Sequence, residues 1–342
     1  MAEGWKKCEG CGNLNLPEAA ACVRCGAALL ALPSRSRSGG SSGRQQPQHP
    51  VAAVPSRRPA GPALQPGVVL RIAERSYRVQ CLLKQGGMAY VFLGTDLATG
   101  DRVVLKTLRG ELAASDSVRE RIYREALLLA RLDHPNVVRI LDIFEHQSAV
   151  ILVLEFVDGG TIEDRILAVR ERGPLRASDV RYWSFGLLAG LGELHACSFV
   201  HRDVKPSNVL LTQAGVPKMT DLGVTLDASG ERARLTRQGS RPGTAQYMAP
   251  EQIKGWEITA RTDIYAAGLV IYEMLVGDPP FDAASDFELM DLHMKAEPDF
   301  ARLAASAPAP VVQAIQKSLR KDPAQRFRST AEFCAAIEAW CP

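Results

Sequence analysis

The sequence predicts an α+β protein, and three observations carry that reading. Short runs alternate between apolar and polar residues from Tyr77 to Leu108 and are broken by a Gly86-Gly87 turn, the pattern of paired antiparallel strands. A segment after Ser115-Asp116 then places Val118, Ile122, Ala126 and Leu129 at helical spacing. Ahead of both, four of the eight cysteines crowd into residues 8–25, followed by a stretch rich in Pro, Ser and Arg.

Composition excludes several classes of function. The chain has 342 residues, 41 Lys plus Arg against 38 Asp plus Glu, and 46% hydrophobic residues, as expected of a globular protein with room for two domains. Residues 27–66 hold five Arg and no acid, so that stretch carries +5 and the remainder about −2 of the net +3. The basic balance therefore belongs to a local segment, which argues against nucleic acid as the main partner. No run reaches the roughly 18 to 20 apolar residues needed to cross a bilayer, and the start lacks a signal-peptide core. The expectation is a cytoplasmic protein with no membrane insertion.

The first element is a metal module. Cys8-x-x-Cys11 and Cys22-x-x-Cys25 offer two thiolate pairs, each able to bite one face of a tetrahedral Zn2+. Gly12 and Gly26 follow each pair and allow the tight turn that brings amides toward the sulfurs. With Asn15 and Ala21 in place, residues 1–28 resemble the small zinc-ribbon family. Four protein ligands leave no open position, so the zinc is expected to be structural, and so short a segment depends on it to fold. A protein partner of this ribbon is one expectation.

Residues 29–66 read as a disordered tether. Seven Pro between residues 27 and 66 and the Ser34-Arg35-Ser36-Arg37-Ser38 run cannot offset the entropy of ordering. As a random coil such a segment spans about 35 Å.

In the large domain, strands are expected over Tyr77–Leu83, Ala89–Gly94 and Asp101–Leu108. Lys106 stands among apolar neighbours on the third, and Glu125 shares the inward side of the following helix. A carboxylate facing a core is costly unless a cation meets it, and Lys106 is the natural candidate.

Farther along stand His201-Arg202-Asp203-Val204-Lys205-Pro206-Ser207-Asn208, then Asp221-Leu222-Gly223, then Met248-Ala249-Pro250-Glu251. With these motifs in this order, residues 67–341 resemble a protein kinase catalytic domain of the bacterial eukaryotic-like (Hanks-type) serine/threonine class. The resemblance implies a two-lobed fold: a small antiparallel β lobe plus one helix over 67–156, and a large, mainly helical lobe over 157–341. It implies ATP and Mg2+, with Mn2+ as a substitute, and protein substrates with Ser or Thr acceptors, the last from Lys205 and Thr244.

The same resemblance assigns roles. Lys106 would contact the α and β phosphates with Glu125 orienting it, and Gly86, Gly87 and Val91 would line the nucleotide. Glu155 and Val157 would offer backbone groups to the adenine, with Leu154 in the gatekeeper position behind it. Asp203 would take or orient the substrate hydroxyl proton, Lys205 would touch the transferred phosphoryl, and Asn208 and Asp221 would hold Mg2+. Asp263 would brace the catalytic loop and Arg326 would meet Glu251. Thr236 and Ser240 are candidate sites of autophosphorylation, which Arg202 would read. Two positions depart from the Gly-x-Gly-x-x-Gly pattern, Lys84 at the first glycine and Ala89 at the third. Lys84 either stiffens the loop or adds a cation near the phosphates, and it motivates the alternative of a nucleotide-binding pseudokinase scaffold.

Overall fold

A computed structural model describes residues 6–7, 14–15, 64–72, 74–86, 89–108, 116–146, 149–222, 245–338 and 340. The chain divides into two compact units, one of residues 1–124 with 143–153 and one of 125–142 with 154–342.

In the first unit, β1 (Lys6–Lys7) and β2 (Leu14–Asn15) form a minimal antiparallel pair. The main sheet contains β3 (Val69–Ile72), β4 (Arg75–Gln85), β5 (Ala89–Asp96), β6 (Arg102–Leu108), β7 (Ile140–His146) and β8 (Ala149–Glu155), in the order β3-β4-β5-β6-β8-β7. Alternation gives it two unequal faces, because successive residues of a strand point to opposite sides. Phe92, Val103 and Leu105 are buried, whereas Val91, Leu93, Val104 and Lys106 between them are only half-buried. Tyr77 stacks on Phe144 at 6.1 Å between ring centroids within the buried set. Helix α1 (Asp116–Leu129) begins in this unit and ends in the next, with Ile122, Ala126 and Leu129 buried as their spacing predicts.

Residues 125–142 join the second unit for a physical reason. Val138 and Asn136 exchange backbone hydrogen bonds with Met219 (2.9 and 2.8 Å), and the Asn136 amide donates to Pro217 O. The rest of this unit is helical: α2 (Ile162–Leu167), α3 (Val169–Arg172), α4 (Ala177–Ala196), α5 (Pro250–Lys254), α6 (Ala260–Val276), α7 (Asp286–Lys295), α8 (Phe300–Ala304), α9 (Ala309–Ser318) and α10 (Thr330–Ala336). A short hairpin of β9 (Val209–Leu211) and β10 (Pro217–Met219) interrupts them.

Helix α4 buries Val180, Trp183, Leu187, Leu191 and Leu194 at three- and four-residue intervals, one stripe of an amphipathic helix. Helix α6 differs: every residue from Thr262 to Met274 is buried, so it is enclosed on all sides. Thr259 caps its start, its hydroxyl accepting from Arg261 N, and Gly277 ends it at φ 85°, a conformation that favours glycine. A Cβ on Gly268 would collide with Ser318 Oγ, so the small residue sets how closely α6 and α9 approach. None of the described helices is long and apolar enough to cross a membrane.

Candidate active site

The first unit contributes the glycine turn and a row across three strands. Gly86 N donates to Ala89 O at 2.8 Å, closing the hairpin between β4 and β5, and a Cβ on Gly86 would come within 3.1 Å of that oxygen. Beyond the turn, Lys84 lies opposite Val91 and Val91 opposite Lys106. Gly87 lies outside the described residues.

The second unit builds the loop of residues 201–208 on the buried helix α6. Asp263, 1% exposed, accepts three hydrogen bonds: His201 N and His195 Nε2 on Oδ2 (2.7 and 2.8 Å), and Arg202 N on Oδ1 (2.8 Å). Arg202 sits at φ 66°, a left-handed conformation that costs a side-chain-bearing residue about 1 to 2 kcal/mol. It is held there from both ends, its N–H by Asp263 and its carbonyl by Gln252 Nε2 at 3.0 Å.

The bend at Arg202 presents Asp203. Its Oδ2 accepts from Lys205 Nζ at 2.8 Å and from Asn208 Nδ2 at 3.1 Å, while the same Asn208 amide donates to Asp203 O at 2.8 Å. Asp203 Oδ1 accepts no hydrogen bond among the described residues, which leaves it open to a substrate hydroxyl. His201 is buried with Nδ1 accepting from Asp203 N (3.3 Å), so its proton sits on Nε2 and is donated to Thr220 O (2.8 Å). Thr220 N in turn donates to Asn208 O at 3.0 Å. Asp221, the residue after Thr220, is itself at φ 58°.

Asn208 tests whether a divalent cation fits. Its nitrogen is committed twice to Asp203, and its Oδ1 is buried with no hydrogen-bond partner. A buried orphan amide oxygen is unfavourable unless something outside the protein meets it, and a hard cation does so. Among the described residues no group of three or more His, Cys, Asp or Glu side chains is arranged to hold a metal. The amide oxygen of Asn208 and the carboxylate of Asp221 are hard oxygen donors of the kind that Mg2+ takes, one or two from protein with phosphate and water completing its shell.

At the end of β8, Glu155 N donates to Arg139 O (3.0 Å), and the Glu155 carboxylate accepts from Lys218 Nζ (2.7 Å) and Arg139 N (2.8 Å). The half-buried Val157 has an N–H with no partner among the described residues, the condition expected of an amide that pairs with a ligand. Lys106 is half-buried on β6 and Glu125 half-buried on α1; they belong to different units.

Two buried clusters support this region. Arg326 and Glu251 make a bidentate pair (2.7 and 2.9 Å) with both side chains at most 1% exposed. Thr262 Oγ1 adds a third bond to Glu251. In the second cluster Tyr247 donates its hydroxyl to Glu273 Oε2 at 2.7 Å. Burial pushes the Glu273 carboxyl up from 4.5 to about 7, against the opposing pull of the Tyr247 hydrogen bond. Elsewhere in the unit, burial pushes His293 down from 6.5 to about 4, with Lys321 adding to the effect.

These two groups act oppositely on stability. The folded chain keeps the Glu273 proton where the unfolded chain has lost it, so that stability disappears as pH rises from 4.5 to about 7. It refuses the His293 proton where the unfolded chain takes it, so that stability disappears as pH falls from 6.5 to about 4. In the native sequence the two slopes largely cancel. Glu273→Gln should unmask the second: between about pH 4.5 and 6.5 its stability should climb by about 2 to 3 kcal/mol more than the unsubstituted protein's. Denaturant unfolding at several pH values measures this, and parallel profiles for the two proteins would refute the assignment.

Cys8, Cys11, Cys22 and Cys25, and the candidate phosphosites Thr236 and Ser240, lie outside the described residues. Sequence reasoning missed three contributors. Lys218 holds the Glu155 carboxylate from 63 residues away, Gln252 holds Arg202, and His195 donates to Asp263.

The fold and the loop geometry define a class. Residues 77–336 match the protein kinase domain family, and the chain belongs to it. It has the protein kinase fold, with an antiparallel sheet in one unit and helices in the other. It is 35% identical over 276 residues to a protein of Corynebacterium efficiens named a probable serine/threonine-protein kinase, covering 78% of this chain and 41% of that one. It is also 34% identical over 269 residues to the serine/threonine-protein kinase PrkC of Bacillus subtilis, covering 78% and 41%. The chain thus spans about two fifths of the length of these curated relatives. Among solved structures, the PknI kinase domain of Mycobacterium tuberculosis superposes with a TM-score of 0.61 at 28% identity, over 80% of this chain and 98% of that one.

Proposed function

We propose that the chain is an ATP-dependent serine/threonine protein kinase acting on protein substrates in the cytoplasm. The observation that carries this reading is the Asp203 carboxylate, one oxygen clamped by Lys205 and Asn208 and the other open. In the transfer, the bond between the γ-phosphorus and the bridging oxygen of ADP breaks as a bond to the substrate hydroxyl oxygen forms. Asp203 Oδ1 orients that hydroxyl and receives its proton. Lys205, 2.8 Å from Asp203, is placed to meet the charge on the moving phosphoryl group. Lys106, oriented by Glu125, holds the α and β phosphates, while Gly86, Gly87 and Val91 cover the nucleotide. Glu155 and Val157 supply backbone groups to the adenine. Asn208 and Asp221 hold Mg2+, which when bound neutralises phosphate charge.

The names of the relatives support a Ser or Thr acceptor, and Lys205 after Asp203 agrees with it. The test is transfer of labelled γ-phosphate from ATP to a generic protein substrate, followed by phosphoamino-acid analysis. Label on Ser or Thr supports the reading; label on Tyr alone, or none from folded protein, ends it. Phosphate on Thr236 or Ser240 in the same reaction is the expected mark of autophosphorylation.

Cys8, Cys11, Cys22 and Cys25 form the proposed structural zinc site, a recruitment or regulatory module for a protein partner. A strong chelator should release one zinc per chain and unfold residues 1–28, an element whose metal supplies about 10 kcal/mol or more. Metal analysis and amide exchange check this, and a chain purified with no zinc that keeps protected amides in 1–28 would contradict it.

A further inference from the structure

We propose that Lys84 is a second cation for the phosphate chain of the bound nucleotide, acting from the same face of the sheet as Lys106. The inference rests on the nucleotide-binding reading above and deepens it at a position where glycine gives way to a charged residue.

The argument is one of register. Cys81 pairs with Leu93 and Leu82 with Phe92, so an unbroken ladder would set Leu83 opposite Val91. A β-bulge between Leu82 and Lys84 inserts one residue, and Lys84 takes that place instead. Because a one-residue slip moves a side chain to the other face, the bulge decides where this charge goes. Val91 itself lies opposite Lys106. Residues directly opposite one another across antiparallel strands project from the same face, so Lys84, Val91 and Lys106 form one row.

That face is the more open one. Val91, Leu93, Val104 and Lys106 are half-buried, while the adjacent row of Tyr90 and Thr107 on the other face is buried. Two strand spacings separate Lys84 from Lys106, about 10 Å between backbones, with an apolar valine between them. Flexible lysine stems allow both ammonium groups to converge on an anion with several charged oxygens lying over Val91. Among the described residues, the exposed Lys84 makes no hydrogen bond or ion pair.

A phosphate contact and a merely exposed lysine differ in one measurable respect, dependence on the phosphates. Calorimetric titration of the full chain with ATP, ADP and adenosine should show Lys84→Met weakening ATP and ADP by about three- to tenfold while adenosine stays within about twofold. Lys84→Gly, which restores the glycine, should show the same selective loss. The gap between native and Lys84→Met proteins should also shrink as salt is raised. Unchanged or tighter ATP binding by Lys84→Met, or an equal loss for adenosine, overturns the proposal and leaves the kinase reading intact. Absence of any ATP binding by the unsubstituted chain overturns the nucleotide reading and this inference with it.

Discussion

Replacing Asp203 with Asn is expected to reduce phosphoryl transfer by about a thousandfold or more, the scale lost when a positioned proton acceptor is removed from a site that depends on it. Asparagine matches the carboxylate in shape, and its oxygen can still accept from Lys205 and Asn208, the two groups now 2.8 and 3.1 Å from Oδ2. The geometry of the loop therefore persists while the charge and the basic oxygen vanish. Asp203 and Lys205 are each about a quarter exposed, and the buried Asn208 keeps its bond to Asp203 O, so stability should change by no more than about 1 kcal/mol. The measurement is label transfer beside a denaturant melt of the same two preparations. Equal transfer by both would remove Asp203 from the chemistry.

The second large effect is on stability. Truncating Arg326 to Met should cost about 4 kcal/mol, because it abandons the Glu251 carboxylate in a site that is at most 1% exposed. Glu251 keeps one bond from Thr262 Oγ1 but loses both guanidinium donors. Arg326 also serves three backbone carbonyls, those of Arg261, Arg320 and Lys321. Those oxygens lose their donor in any Arg326 variant, whatever occupies position 251. The combination of Glu251→Leu with Arg326→Met should thus recover part of the loss and not all of it, with a coupling of about 1 to 3 kcal/mol. Additive losses in urea unfolding would show that the two side chains do not act as a pair.

How much of this was legible in the sequence follows from the range of the interactions involved. Local alternation placed β5 and β6 within two residues of their observed ends, and helical spacing identified the buried side of α1, since both depend on neighbours close in the chain. The motifs around Asp203 and Asp221 were readable because the chemistry needs those residue types at short separations. Three partners that meet across 50 residues or more and have one member outside every motif escaped: Lys218 with Glu155, Gln252 with Arg202, His195 with Asp263. No local pattern announces such a contact, as each partner alone is an ordinary polar residue. The bulge in β4 escaped for a different reason. An extra residue in a strand leaves alternation almost intact, and only the observed pairing reveals which face Lys84 takes.

Helix α6 carries an implication for the order of folding. It is enclosed from Thr262 to Met274, and its Asp263 carboxylate is the acceptor for two backbone amides of a loop some 60 residues earlier. Arg202 cannot rest in its left-handed conformation until that acceptor is in place, since on its own the bend is uphill. The loop that carries Asp203 is accordingly a late arrival, shaped only after the helical scaffold has docked behind it. Damage to α6 would then misplace Asp203 before it unfolds the chain, through a loop that is present but has lost its mould.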